Sequence, residues 1–526
     1  MRLRTFPGRS AKGDRFLVLA FVAALLANWA PLVVSEYLPF TDLSGHMGLA
    51  GALAHWDDAA ALIPAYFERD IRLIPGVLFE AFTFALHPLL GVPAATNLFI
   101  ALFCVAGVPL ALLYALRVFR CDPRLCLLAF PFLYHRCIWY GFVNFAASVP
   151  LLLLSLGLLE QCLEDGRAGA LKRRRFVALA LTAFLTVAAH AFGAMVLFGL
   201  GLLLILLSIP RLSTLGAVLA SLAPALAYLL RWLRTGTHTG SPSGLVAQIT
   251  GSLRPIGGSL DLFYQWTING LGNDVDQYVF IAGAAGLAAS LAFAIAHRAR
   301  HKEKSPFPLR LRAKPVVLLS ATLIMFLLLP MELQTPYWWA VAVRLVPLAW
   351  LLAALALPEA SRRTPAWALA PALAAGIFYG GYLAYDFRAW FRNVEMAGLN
   401  QVVDAIPKGA RVHALWPPFD HEKHYAHYPI AFAANYYVVR RGGIVSPMMD
   451  GTKDVWILPR PLPPRAPWGM GRAFSWAAYG RYWDYFLVKL PPPGLPPIRP
   501  VFRDAPPGSV TLVAKSGLWS VYKREP

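Results

Sequence analysis

The sequence is poor in charge and especially in acid. Aspartate and glutamate together supply 28 of 526 residues, and charged residues of both signs make up only 14%. A soluble chain of this size needs far more polar surface, so a purely soluble globular class is excluded. Cysteine is scarce too: five residues in all, at 104, 121, 126, 137 and 162. None falls after residue 162, which rules out a disulfide framework in the C-terminal part. No internal repeat of the kind found in the inverted halves of transporters is visible.

What the sequence has in abundance is apolar length. Hydrophobic residues account for 58% of the chain. A spanning helix needs about 20 such residues to cross roughly 30 Å of hydrocarbon. Apolar windows near this length fall near 15–34, 94–116, 145–162, 175–191, 193–209, 213–232, 277–297, 315–331, 340–357 and 366–385, with a shorter third one at 124–136, and none falls after 385. The pattern predicts an all-α polytopic membrane domain of about eleven spans over residues 1–385, followed by an extracytoplasmic domain at 386–526.

The net charge of +20 would suggest nucleic acid in a soluble protein. Here the basic residues crowd short connections on one side: Arg117, Arg120 and Arg124; Arg167 with Lys172 to Arg175; Arg211; the run 298–314; and Arg362 with Arg363. The positive-inside bias makes that side cytoplasmic, puts the N-terminus there, and implies a bilayer partner rather than nucleic acid. The basic start ahead of a long apolar run reads as an uncleaved first span in the inner (plasma) membrane, with a cleaved signal ending near 27–30 as the alternative.

The outer connections are then unequal, with a long first loop at 35–93 and another large one at 233–276. The apolar stretch 73–90 inside the first loop carries Glu80 and His87 and reads as an interfacial helix, with a full span as the alternative. In the tail, strand-like stretches at 411–415, 436–440, 484–489 and 510–523 separated by Pro and Gly predict a small α/β domain.

Chemistry-bearing residues gather after the first span, in Pro39-Phe40-Thr41-Asp42-Leu43-Ser44-Gly45-His46. On a helix, Asp42 and His46 share one face. Asp42 as a simple helix cap is the competing reading. Arg344, at the outer end of a span, and Arg136 are candidate anion-binding cations, with snorkelling to the interface as the alternative. Tyr337 and Trp338 could stack on a sugar ring or belong to an aromatic belt. His190 at a span end, and Arg69 and Asp70 late in the first loop, are further lining candidates. In the tail, Asp420, His421, Glu422, His424 and His427 are dense in potential ligands, but their spacing and the prolines around them do not form a recognisable metal motif.

This order of features resembles the C-type superfamily of integral membrane glycosyltransferases. In that family a first span precedes a long outer loop whose early acidic residue is catalytic. Asp42 stands at that place, His46 is similar to a histidine found shortly after it in some members, and 70–90 resembles the loop's second helix. The following LLYALRVFR turn and FPFLYHRCIWYGFVNF rise are similar as well, so the resemblance covers about 15–165. It implies transfer of a hexosyl or pentosyl group from a polyprenyl-phosphate donor to an extracytoplasmic glycan, lipid or protein acceptor. Asp42 would be the general base and His46 would assist it. The cofactor is left unassigned, a divalent metal included, and the lone acid in the first loop departs from members with paired acids. A transporter or flippase for a lipid-linked substrate and a non-catalytic scaffold are the alternatives.

Overall fold

The computed structural model describes residues 11–235, 255–301, 309–334, 337–358, 364–415, 424–446, 455–460, 474–490, 502 and 504–526. Seven of its helices are long and apolar enough to cross a membrane: Arg15–Val34, Leu78–Val118, Val143–Arg167, Ala191–Ser208, Leu212–Arg234, Val275–Arg300 and Ala366–Glu395. Each coincides with one of the expected spans to within a residue at the ends or contains it. The other four expected spans fall on shorter elements. One is the 17-residue helix Arg173–Ala189, and the rest are the apolar segments Pro123–Phe132, Ala313–Leu328 and Ala342–Leu355. Pro123–Phe132 is a 3-10 helix rather than an α-helix.

Small residues let these helices approach closely, as packing between membrane helices requires. A Cβ on Gly380 would lie 2.6 Å from the backbone of Ala27, and one on Gly286 would lie 2.7 Å from Cβ of Ala372. Asn28 ties the first helix to the last by donating Nδ2 to the carbonyl of Gly376 at 3.0 Å.

The helix starting at Leu78 breaks at Gly91, whose φ of 76° and ψ of 159° lie outside helical space. The piece from 78 to 90 is therefore about 20 Å long, short of the roughly 30 Å needed to span on its own.

The C-terminal part holds a five-stranded sheet in the order Ile444–Ser446, Arg411–Leu415, Tyr485–Lys489, Trp519–Arg524, Val510–Ser516. The first three strands run parallel and the last two are antiparallel. Three of the four expected strand segments are strands. The fourth, 436–440, is instead part of the helix Asn435–Arg441. Its β-branched and aromatic content suggested a strand, but one face of it packs against the helix Leu43–Ala54 and fixes the helical period. That contact relies on glycine: a Cβ on Gly48 would clash with Oδ1 of Asn435, and one on Gly51 would meet Cα of Val439 at 2.8 Å. The hydrophobic core runs without interruption from the bundle into this sheet.

Val143–Arg167 is a 25-residue helix about 37 Å long at 1.5 Å per residue,. At its C-terminal end the basic turns converge: Arg167 and Arg120 pair with Glu164 at 2.8 and 3.2 Å, and Arg175 and Lys172 pair with Asp165. Its N-terminal end, at Asn144 and Phe145, carries the site described next.

Candidate functional site

Residues 41–42 enter the site as a short backbone ladder. Thr41 donates its N–H to the Trp139 carbonyl at 3.0 Å, and Asp42 donates to that of Tyr140 at 3.1 Å. So close a contact needs glycine at 141: its φ is 78°, and a Cβ there would stand 2.6 Å from the Asp42 nitrogen. Asp42 occupies the N-cap position of the helix Leu43–Ala54, yet its side chain caps nothing. The carboxylate is half-buried and, among the described residues, has no hydrogen-bond partner. The capping reading is therefore not what the geometry realises.

Burial pushes the Asp42 carboxyl up from 3.8 to about 6, against the opposing pull of the nearby His46 and Arg344. Loss of water around a charged form has that sign. His46 goes the other way. Burial alone would lower its pKa, but the hydrogen bond to Glu80 and the negative charges of Glu80 and Asp42 raise it above 6.5.

Nδ1 of His46 lies 2.7 Å from Oε1 of Glu80. Glu80 is 4% exposed, and its other oxygen accepts from Nδ2 of Asn144 at 3.0 Å. Asn144 in turn accepts the Phe79 N–H at 2.8 Å and donates to the Gly76 carbonyl at 2.5 Å. The loop before Leu78 is thus fastened to the start of Val143–Arg167, and Glu80 is held facing His46. Neither Glu80, noted only as an acid within the 73–90 stretch, nor Asn144 is among the site candidates read from sequence. The signal available was an acid inside an apolar run with no basic neighbour to pair with it.

Nη1 of Arg344 lies 2.7 Å from Nε2 of His190, Nη2 donates to the Trp339 carbonyl at 3.2 Å, and the guanidinium lies 4.6 Å from the Phe142 ring centre. Burial, with Arg344 and His46 nearby, keeps His190 well below its usual range. Nδ1 of His190 also accepts the Phe192 N–H at 3.1 Å, and a neutral imidazole accepts at one nitrogen only, so Arg344 and the Phe192 amide compete for its single lone pair. Asp42, His46, Arg344 and His190 are therefore one electrostatic group, as their sequence positions alone do not reveal.

Arg136 and Arg344 contact different rings of one aromatic cluster. Arg136 stands 5.5 Å from the Tyr140 ring and 5.8 Å from that of Trp266. Tyr140 stacks on Trp266 at 5.3 Å, and Trp339 meets Tyr140, Trp266 and Phe142 edge-on. Among the described residues Nε and Nη1 of Arg136 are buried without a hydrogen-bond partner, whereas Nη1 and Nη2 of Arg344 already contact His190 and Trp339. Tyr337 to Trp339 form a strand whose side chains alternate,. Trp339 joins the cluster, while Trp338 stacks on Trp232 and lies 6.3 Å from His190. The side chain of Tyr337 lies outside the described residues.

Arg69 and Asp70 are placed elsewhere. Phe67–Arg69 pairs with Ile457–Pro459 as a two-stranded ribbon, Arg69 lies over Trp56 at 4.9 Å, and Asp70 pairs with Arg72 at 3.0 Å. Among the described residues no hydrogen bond or ion pair joins either to Asp42, His46 or Arg344.

Asp420, His421 and Glu422 lie outside the described residues. His424 and His427 serve structural contacts: Nε2 of His424 pairs with Asp386 at 2.8 Å, and Nε2 of His427 bonds the Pro39 carbonyl at 2.6 Å. Among the described residues no three His, Cys, Asp or Glu side chains gather as a metal site.

No family model and no curated protein matches the chain. Solved structures do. ArnT from Cupriavidus metallidurans bound to undecaprenyl phosphate matches with a TM-score of 0.53 at 12% identity, covering 98% of each chain. The same protein in the apo state matches at 0.54 and 13% identity, over 97% of this chain and 98% of that one. At such identity the likeness is one of fold. It extends over nearly the whole chain, and it agrees with the expected fold of a multi-pass helical membrane domain followed by a small C-terminal sheet domain.

Proposed function

We propose that the protein is a membrane glycosyltransferase that moves a sugar from a polyprenyl-phosphate donor to the hydroxyl of an extracytoplasmic acceptor, with Asp42 as general base. The carboxylate takes the acceptor proton as the acceptor oxygen bonds to the anomeric carbon. The bond from that carbon to the phosphate oxygen breaks, and the polyprenyl phosphate leaves with the electron pair. The observation that carries this reading is the Asp42 side chain: uncapped and unpartnered, its pKa lifted to about 6, beside a guanidinium suited to the departing phosphate. A base works best when its pKa lies near the working pH.

Arg344 supports the phosphate role through its nearness to Asp42, and Arg136 through its two buried, unpartnered nitrogens. His46, held by Glu80, keeps a positive charge beside the base. Trp338 and His190 line the Arg344 side. A neighbour of the same fold that binds undecaprenyl phosphate supports a polyprenyl carrier.

The orientation follows the charge pattern. Basic turns gather at one end of Val143–Arg167 and the Asp42 group at the other. With the basic end cytoplasmic, the N-terminus faces the cytoplasm, and the site opens at the outer surface of the inner membrane along with the 386–526 region.

Purified protein given polyprenyl-phosphate sugars should release polyprenyl phosphate, and Asp42→Asn should cut the rate by about 10² to 10⁴-fold, the usual worth of a positioned base. Undiminished turnover by Asp42→Asn would remove the mechanism. Movement of intact donor without bond cleavage would favour a flippase.

A further inference from the structure

A groove of about 1080 Å³, sharing no lining residue with the Asp42 group, lies between the end of the first helix, the 90–102 stretch at and after the Gly91 break, and the segment 392–401 that follows residue 386. Its wall changes character along its length. One part is apolar, with Trp29, Val33 and Leu102, and the other is polar, with Glu36, Arg392 and Asn400. Val33 is 79% exposed and Leu102 43%, so the apolar part is open to the hydrocarbon that surrounds a spanning helix.

The polar part carries separated charges of opposite sign. Arg392 donates Nη1 to the Val34 carbonyl at 2.9 Å, which closes the end of the first helix, and its other nitrogens have no partner among the described residues. Glu36 accepts from Nδ2 of Asn400 at 3.1 Å and makes no ion pair with Arg392, although both line the same groove. Two exposed opposite charges left apart at the head of an apolar channel match a molecule that has an acyl chain, a phosphate and an ammonium in that order.

We propose that this groove is a binding site for a zwitterionic aminophospholipid of the phosphatidylethanolamine class. An acyl chain lies along Trp29, Val33 and Leu102, the phosphate meets Arg392, and the ammonium meets Glu36, which Asn400 positions while its own oxygen accepts the Tyr37 hydroxyl at 2.8 Å. A guanidinium recognises phosphate through directed paired donors, and a carboxylate is the matching acceptor for an ammonium. The lipid is a bound structural partner rather than a substrate, and the site does not depend on the transferase reading.

The test uses the full chain purified in mild detergent and supplied with phosphatidylethanolamine, phosphatidylglycerol or phosphatidylcholine, with retained lipid counted by native mass spectrometry. Wild type should keep one phosphatidylethanolamine at least tenfold more often than either competitor. Arg392→Gln should abolish retention and Glu36→Gln should abolish the headgroup preference. Ala94→Trp, at an exposed position on the groove wall, should block the site. Equal retention of all three lipids by wild type, preference for phosphatidylglycerol, or full retention by Ala94→Trp would each overturn the proposal. A phosphatidylethanolamine with a photoreactive acyl chain gives an independent reading on wild type: labelling should fall in 29–37 and 90–102, and labelling confined to other segments would overturn it.

Discussion

The arrangement of Asp42, His46 and Glu80 makes a prediction about pH that a generic acidic residue would not. Asp42 must be ionised to accept a proton, so activity should rise with pH and reach half its plateau near its folded pKa of about 6. That value is a balance. Burial raises it, while the charge of His46, which Glu80 sustains, and the charge of Arg344 lower it. Glu80→Gln removes the carboxylate that holds the proton on His46, so His46 becomes neutral at lower pH and Asp42 loses a favourable neighbour. Side chains at i and i+4 of a helix lie about 5–6 Å apart. At an effective dielectric constant of about 20, two unit charges at that distance interact by about 3 kcal/mol, or about two pH units. Because Asp42 is partly open to solvent, we expect about half of this: an acid limb moved up by about one pH unit, to near pH 7. The assay is initial rate against pH at saturating donor for wild type, Glu80→Gln and Asp42→Asn. Superimposable acid limbs for wild type and Glu80→Gln would refute the coupling. An Asp42→Asn profile with the same limb would refute Asp42 as the titrating base.

Ionising Asp42 should cost stability. A carboxyl raised from 3.8 to about 6 on folding weakens the folded state as pH rises between those values, and the loss persists above them. Asp42→Asn should therefore raise the melting temperature at pH 8, by the equivalent of about 2 kcal/mol after solvent screening, and leave it unchanged below pH 3.8. A lower melting temperature at pH 8 would contradict this. Arg136→Ala should raise the KM for the polyprenyl-phosphate sugar by about tenfold or more, the worth of about 1.4 kcal/mol of lost anion binding, with the fold intact. An unchanged KM would assign Arg136 to packing alone. Lys314 and Glu160 form a wholly buried pair at 2.7 Å. Lys314→Ala should destabilise by about 3–5 kcal/mol because it strands a charge, and adding Glu160→Ala should recover most of the loss. Thermal unfolding of the single and double variants checks this.

The transmembrane plan was legible because each span is a charge-poor run and each connection on one side is basic, two signals local to the sequence. The weak points were those where length and period disagree. Residues 124–136 are apolar enough for a span, yet Pro123 and Pro131 flank a 3-10 segment rather than a full helix. Residues 436–440 look like a strand by composition, but Gly48 and Gly51, nearly 400 residues earlier, present the smooth surface against which a helix packs. Asp42 and His46 could be paired from their spacing alone. Glu80, Asn144, Tyr140, Phe142 and Trp266 could not be assigned to the same site, because what unites them is helix packing. Arg69 and Asp70 sit in the same loop as Asp42, and only the pairing of Phe67–Arg69 with Ile457–Pro459 carries them elsewhere.

The position of Asp42 is fixed from several directions at once. The Trp139 and Tyr140 carbonyls hold its backbone, and His427 grips the carbonyl of Pro39. Tyr37 packs against Tyr436 with ring centres 3.9 Å apart. Segment 424–426 bonds to 270–272, through Gly272 to the His424 carbonyl at 2.8 Å and Ala426 to that of Gly270 at 3.0 Å. The Gly270 and Leu271 amides are held in turn by Asp276, at the head of a spanning helix. The C-terminal region is thus a wall of the scaffold around the first loop. A carboxylate left unpaired and partly dehydrated is costly to hold, and a loop supported on one side only would relax until water or a backbone amide satisfied it. Clamping the loop between the bundle and the tail prevents that relaxation. For this reason, loosening a remote contact such as His427 to Pro39 should lower the Asp42 pKa toward its ordinary value and weaken the base without touching it.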